Sequence, residues 1–347
     1  MILIIGAGLS GLLTAYRLQQ EGIPFKILEA RDRVGGRINT IYTSNDTPIE
    51  MGATWFNSQH ENLIALLKEL EIAYFEQHMD NPLFYQASDT SPIQSVQVPS
   101  QSPSYRISGG TSNIINTLLE KLDDKAVLLH QTVTDIKYHD KSVHIMAKES
   151  FEGNSVVLAI PPKLWAKKIA FVPQLPRELI NTAEQTHTWM EDSIKIALTY
   201  ENPFWKEENI ASTFFSNAGP IAEFYNHCNH ERSKYALCGF IHSSFKSLPY
   251  SERRSRVIDQ VKMVFGPSAE AFLSYDECLW SEEENTFEAS DIFLNPHQNN
   301  GNPIFSQTFS DDNLYISSAE SASESPGYMD GAVYSANLIA EKIIKAQ

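Results

Sequence analysis

Ile2-Leu3-Ile4-Ile5-Gly6-Ala7-Gly8-Leu9-Ser10-Gly11 opens the chain, and these ten residues decide the reading of the fold. Ile2 to Ile5 is an unbroken β-branched and leucine run, as expected of a parallel strand buried on both faces. Beyond the glycines, Leu12, Leu13, Ala15, Tyr16 and Leu18 recur at helical spacing. Gly22 ends that helix, and Phe25 to Leu28 reads as a second buried strand, completing a βαβ unit. Gly6 permits the tight turn, Gly8 lets the backbone approach a pyrophosphate, and Gly11 lets helix and strand pack closely. The helix N-terminus adds amide donors and a positive dipole. Glu29 closes the second strand, where an acid accepts both hydroxyls of an adenosine ribose and repels a 2′-phosphate. Glycine spacing alone also fits an ordinary turn; strand, helix and acid together turn it into a dinucleotide signal.

Working outward, Gly35 and Gly36 allow close backbone approach, and Arg37 offers a guanidinium to a diphosphate, although from spacing alone it is equally a surface cation. The stretch Leu28-Glu29-Ala30-Arg31-Asp32-Arg33-Val34-Gly35-Gly36-Arg37 resembles a signature of the flavin monoamine oxidase family. That likeness continues through Glu50-Met51-Gly52-Ala53-Thr54-Trp55. It returns at Ser318-Ala319-Glu320-Ser321-Ala322 and at Pro326-Gly327-Tyr328-Met329-Asp330-Gly331-Ala332. Ile107-Ser108-Gly109-Gly110 resembles the family's re-entry into its FAD domain, and Val156 to Pro162 its exit strand.

The resemblance implies an α/β protein, with a discontinuous Rossmann-like FAD-binding domain and an α+β substrate domain. The expected division is 1–75, 104–170 and 281–347 against 76–103 and 171–280. The implied cofactor residues are Gly6, Ala7, Gly8, Ser10, Gly11, Glu29, Ala30, Arg31, Gly36, Arg37, Gly52, Ala53, Thr54, Trp55, Val133, Trp280, Glu320, Gly327, Met329 and Ala332. Val133 matches the position that meets adenine and also reads as a core strand valine. Trp280, heading Trp280-Ser281-Glu282-Glu283-Glu284, packs beside the flavin or simply in the core.

Two catalytic candidates follow from the same likeness. Lys195, within Ser193-Ile194-Lys195-Ile196-Ala197-Leu198, matches a lysine that holds a water beside the flavin. A half-exposed strand would instead turn it to solvent, since a lysine is costly to bury unpaired. Tyr328 matches an aromatic face over which the amine approaches, and read alone is an ordinary buried ring. The implied reaction passes hydride from the α-carbon of an amine to the flavin. The imine then hydrolyses, oxygen reoxidises the flavin and hydrogen peroxide forms. Two further readings share these signatures: a flavin desaturase or porphyrinogen-type oxidase acting on carbon, and a non-catalytic FAD-binding partner subunit.

Composition narrows the partners. A formal net charge of −16 argues against nucleic acid, which needs clustered Lys and Arg. Three cysteines without CxxC spacing suit a reducing compartment and no disulfide framework. The apolar stretch Met1 to Tyr16 lacks a basic leader, and no run is long enough to span a bilayer, so a soluble, cytoplasmic protein without membrane contact is expected. His227-Cys228-x-His230 with Cys238 carries the letters of a metal site, but sits between two strand-like runs and reads as a hairpin turn, so no metal is expected. Glu282 to Glu284 and Asp311-Asp312 read as solvated faces or caps.

The sequence also departs from the family. Ala289 and Ser290 stand where relatives place a tethering cysteine and a second aromatic, which leaves the amine cage half built unless Phe287, Phe293 or another ring moves in. Between Glu76 and Tyr105 the usual long helical insertion is replaced by about thirty residues rich in Ser, Gln and Pro, with Ser88 to Ser104 expected as a solvated connector rather than a mobile lid. The shortness implies an open site that would take a bulky or partner-presented substrate, and the partner expected is an amine, either a small molecule or one presented by another protein. Alanine at 289 forms no thioether, so FAD is expected to be noncovalent. Acid precipitation should leave the flavin in the supernatant, and a yellow pellet would disprove this.

Overall fold

The structure is a computed structural model describing residues 1–347 except 100, 140–141, 290–292 and 311–312. Asp311-Asp312 and Ser290 therefore lie outside the described residues. The apolar run Ile2–Ile5 forms the centre of a five-stranded parallel sheet ordered Val127–Leu128, Phe25–Leu28, Ile2–Ile5, Ser155–Leu158 and Leu314–Ile316. Every residue of Ile2–Ile5 and Ser155–Leu158 is buried, because both faces are covered. Ile2, Ile4 and Val157 pack into a core with the helices Leu9–Gln20, Ser112–Lys121 and Met329–Lys345. Leu3, Ile5, Val156 and Leu158 face a second core, which includes the four-stranded sheet of Ser150–Gly153, Ser142–Met146, Asp135–His139 and Ala170–Val172.

The first helix sits tight on the first strand because Gly11 has no side chain. A Cβ there would meet the Gly6 carbonyl oxygen at 2.0 Å, and Gly6 itself turns with φ +101°. The helix Leu9–Gln20 begins at Gly8 with no side-chain cap, so its first amides are left for another partner.

A seven-stranded sheet runs Phe272–Leu279, Ile194–Tyr200, Tyr235–Ile241, Ile221–Asn226, Phe214–Ser216, Leu83–Gln86 and Gln94–Val96. Ile194, Ile196 and Leu198 pack one face against Val257, Val261 and Phe265 of the helix Tyr250–Phe265. Lys195 and Ala197 take the other face by strand alternation. Two expectations change here. The Ser- and Gln-rich stretch is no plain connector, because Leu83–Gln86 and Gln94–Val96 pair as a hairpin and extend the sheet edge. The β-forming Leu83, Phe84 and Tyr85 drive that pairing, which outweighs the polar composition around them. The acidic Glu283 is also no mere solvated face, since Arg31 Nη2 donates to its carboxylate at 3.2 Å.

Asp80 ties the start of this hairpin to the sheet: its Oδ2 accepts from Ser212 N, Ser212 Oγ and Thr213 Oγ1, each at 2.8 Å. Burial would raise its pKa, but the hydrogen bonds from His78, Ser212 and Thr213 outweigh that and hold it at about 2. A depressed carboxyl stabilises the fold fully above its unfolded pKa, and the contribution is lost as pH falls through the folded value. Asp80→Ala should lower unfolding free energy by about 2 kcal/mol at pH 7. The gap between variant and wild type should close as the urea midpoint is measured from pH 4 down to pH 2.

Candidate active site

A cavity of about 460 Å³ runs from the end of the first strand to the face of the seven-stranded sheet that carries Lys195. Gly6, Gly8, Ser10, Glu29, Ala30, Arg31, Gly36, Arg37, Gly52, Ala53, Thr54, Trp55, Val133, Lys195, Trp280, Gly327, Tyr328, Met329 and Ala332 all line it. Three expected contact residues do not. Gly11 acts through packing, as above. Ala7 is fully buried, and its N–H donates to Glu29 Oε2 at 2.7 Å. Glu320 lies fully buried beneath Arg37, accepting from both of its terminal nitrogens at 2.6 and 3.0 Å. A paired carboxylate of that kind orients a guanidinium rather than meeting an anionic ligand itself.

The residues at one end fit an adenine dinucleotide. A Cβ on Gly8 would meet nothing nearer than the Gly35 oxygen at 4.0 Å, so the space beside the uncapped helix start is open to a phosphate. The Arg37 side chain remains 25% exposed while Glu320 holds it. Glu29 is held by Ala7 N and by Arg31 N at 3.0 Å, fixing the carboxylate beside Val133 and Gln131 in the cavity wall. Val133 itself precedes the strand Asp135–His139 rather than lying within it.

At the other end the wall is aromatic. Lys195 is 1% exposed, and its ammonium donates to Gly52 O at 2.5 Å and to Thr54 Oγ1. It lies 4.8 Å from the Trp55 ring centroid and 5.4 Å from that of Phe240. Burial pushes its pKa below the ordinary lysine range. The fully buried Glu50 lies behind it, accepting from Thr111 N at 2.6 Å and from Thr40 Oγ1 at 2.9 Å. Trp280 Nε1 donates to Met51 O at 2.8 Å, pinning the indole in the wall. Trp55 packs 5.1 Å from Tyr225, and its Nε1 donates to Gln77 at 3.0 Å.

Phe240, Tyr225, Glu223 and Trp189 complete the chamber and are invisible to sequence motifs. Phe240 pairs with Lys195 across two strands, a register that only the folded sheet displays. Neither Phe287 nor Phe293 replaces the missing aromatic: Phe293 is 83% exposed, and Phe287 packs near Lys163. Ala289 is exposed and away from the cavity wall. Trp189 instead meets Tyr328, with centroids 5.6 Å apart, and stacks on His297 at 4.1 Å. A guest between two rings needs roughly 7–8 Å, twice a carbon contact distance, so Trp189 braces Tyr328 and leaves no slot between them. His60 packs on Tyr328 at 5.4 Å.

A profile described as flavin containing amine oxidoreductase matches residues 9–92 and 94–344. The chain belongs to that family. Among its relatives, putrescine oxidase of Kocuria rosea is 22% identical over 82% of this chain and 83% of its own length. Flavin-containing amine oxidase B of Homo sapiens is 23% identical over 99% of this chain and 86% of its own. A solved putrescine oxidase bound to putrescine superposes with a TM-score of 0.85 at 22% identity, covering 99% of this chain and 98% of that one. Cyclohexylamine oxidase from Brevibacterium oxydans gives 0.83 at 16% identity over 99% of both chains. These likenesses establish the α/β fold of FAD-dependent amine oxidases for this family member.

Other expectations can be placed in the same geometry. Ile221–Asn226 and Tyr235–Ile241 do pair as a hairpin, with His227 following the first strand. No three His, Cys, Asp or Glu side chains are grouped to hold a metal among the described residues. Cys228, Cys238 and Cys278 are all free. No helix among the described residues is long and apolar enough to cross a membrane.

The two helix-start glycines separate fold from cofactor. Gly8→Val has room for its side chain only in the cavity, so it should fold with a near-native melting temperature and purify colourless. Gly11→Ala must push helix from strand and should lose about 2–3 kcal/mol of stability. Visible absorbance with thermal melts of both variants checks the contrast.

Proposed function

We propose that this chain oxidises an amine at its α-carbon, with noncovalently held FAD as acceptor and oxygen as reoxidant, releasing hydrogen peroxide. The observation that carries this reading is Lys195, a buried ammonium in an aromatic chamber continuous with a dinucleotide groove. When bound, FAD supplies the two-electron acceptor for hydride leaving the substrate carbon.

The chain's own residues then have limited tasks. Gly8 and the open helix start take the phosphates, Arg37 neutralises them, Glu29 holds the adenosine ribose, and Val133 covers the adenine. Trp55, Tyr225, Phe240 and Trp280 keep bulk water from the reacting carbon. An apolar wall that lowers the pKa of Lys195 lowers that of an arriving ammonium too, so the amine sheds its proton and presents a lone pair. Lys195 orders a water at Nζ, and Tyr328, braced by Trp189 and His60, presents an aromatic face. The division into an FAD domain of 1–75, 104–170 and 281–347 and a substrate domain of the remainder accords with this assignment of tasks.

Anaerobic mixing with a panel of primary and secondary amines should bleach the flavin band near neutral pH, and air should restore it with one peroxide per amine. A flavin that no amine bleaches would refute the proposal. Lys195→Met should keep the flavin spectrum and slow turnover by roughly 10²-fold, the scale for losing one preorganised donor.

A further inference from the structure

One carboxylate of the cavity remains without a task. Glu29 is committed to the dinucleotide end; Glu223 is the second acid in the wall and lies among Trp55, Tyr225 and Phe240. Its position is built by a backbone irregularity. Ile221 pairs with Ile241 but Glu223 pairs with Phe240, so one extra residue, Ala222, is accommodated between them. Without this bulge Glu223 would stand opposite Gly239 and share the core face; with it, Glu223 joins Phe240 and Lys195 on the cavity face. The bulge depends on Gly239, where a Cβ would meet the Glu223 carbonyl oxygen at 1.9 Å. Phe224, the next residue, is correspondingly turned into the core.

The carboxylate is only half satisfied. Tyr225 Oη donates to its Oε2, and no Lys, Arg or His nitrogen among the described residues lies within 4 Å of it. Lys195 and Glu223 sit on strands separated by the one bearing Phe240, roughly 10 Å apart at two strand spacings. An anion held in an aromatic wall at that reach from the reacting position is placed for a cation at the far end of the substrate.

We infer that Glu223 reads a second positive charge on the substrate, so that the chain takes α,ω-diamines or longer polyamines in preference to monoamines. This rests on the amine-oxidation reading above. The reacting amine sits deprotonated near Lys195, while the distal ammonium remains charged, held by the Glu223 carboxylate and the rings of Tyr225 and Trp55. Glu223→Gln tests the charge alone, because the amide oxygen still accepts from Tyr225.

The measurement is anaerobic flavin reduction by an α,ω-diaminoalkane series and by n-alkylamines of matching carbon number, together with spectral titration by a bis-quaternary alkane that cannot be oxidised. Wild type should half-saturate with the best diamine at a roughly ten- to hundredfold lower concentration than with the matching monoamine, the scale of one charge-assisted hydrogen bond. In Glu223→Gln that ratio should collapse towards one and the bis-quaternary shift should be lost. Equal half-saturation in wild type, or a ratio that survives the substitution, would overturn the inference while leaving amine oxidation standing. Bleaching by neither amine series would overturn both.

Discussion

The missing side chain at Gly11 is the constraint on which the cofactor groove rests. Helix Leu9–Gln20 approaches strand Ile2–Ile5 so closely that even a methyl group would strike the Gly6 carbonyl. That approach aims the helix start, with its uncapped amides, into the cavity. It also brings the loop of Gly35 beside Gly8, where the two form a parallel bridge. The acid that ends the next strand is then locked by a backbone amide from the same turn, Ala7 N to Glu29. The open helix start, the locked acid and the neighbouring glycine loop follow from one steric fact, and the other residues proposed to hold the cofactor are arranged around it.

The second organising feature is the strand Ile194–Tyr200, all seven of whose residues are buried. Its isoleucines and leucine complete the core against Tyr250–Phe265, and this anchoring forces Lys195 into the opposite wall. Burying an ammonium costs several kcal/mol unless it is compensated. Here a carbonyl, a hydroxyl, two aromatic faces and a carboxylate behind it share that task. A sheet whose one face is core and whose other face is chamber needs no separate scaffold for the chemistry. The same alternation displays Phe240 and, through a bulge, Glu223 on the chamber side.

The aromatic surroundings of Tyr328 differ from a pair of facing rings. Trp189 reaches it from the loop before Lys195, His297 stacks against both, and His60 arrives from the start of helix Glu61–Glu69. Tyr328 is thereby fixed by three neighbours from distant parts of the chain, although the residue is still 37% exposed. The loop carrying Trp189 is itself anchored by the buried pair Lys163–Glu191, at 2.8 Å. Rigidity of the remaining ring is thus obtained by packing around it.

Much of the groove was legible in the sequence because it is built from contiguous backbone. Glycines at 6, 8 and 11, an acid at 29, and the short strand runs Ile2–Ile5 and Phe25–Leu28 act within some thirty residues, where chain geometry leaves few choices. Lys195 and Tyr328 were legible through the resemblance, and the structure brings both to the cavity. Gly11 packs helix against strand as the motif implies, while two other residues stand off the cavity wall for local reasons: Ala7 is sealed beneath the turn, and Glu320 orients Arg37 from below. The hairpin within 76–103 is masked by its polar composition, and the strand on which it docks, Phe214–Ser216, is more than a hundred residues away. The far wall of the chamber, Tyr225, Phe240 and Glu223, was not legible. Which residue of Tyr235–Ile241 faces Lys195, and whether Glu223 points to core or cavity, depends on strand register and on a single bulged residue. A one-residue slip exchanges the two faces of a strand and leaves the amino-acid pattern untouched. The sequence by itself therefore determined the turn, the acid and the groove proposed for a dinucleotide, and only the tertiary structure decided which side chains line the chamber beyond it.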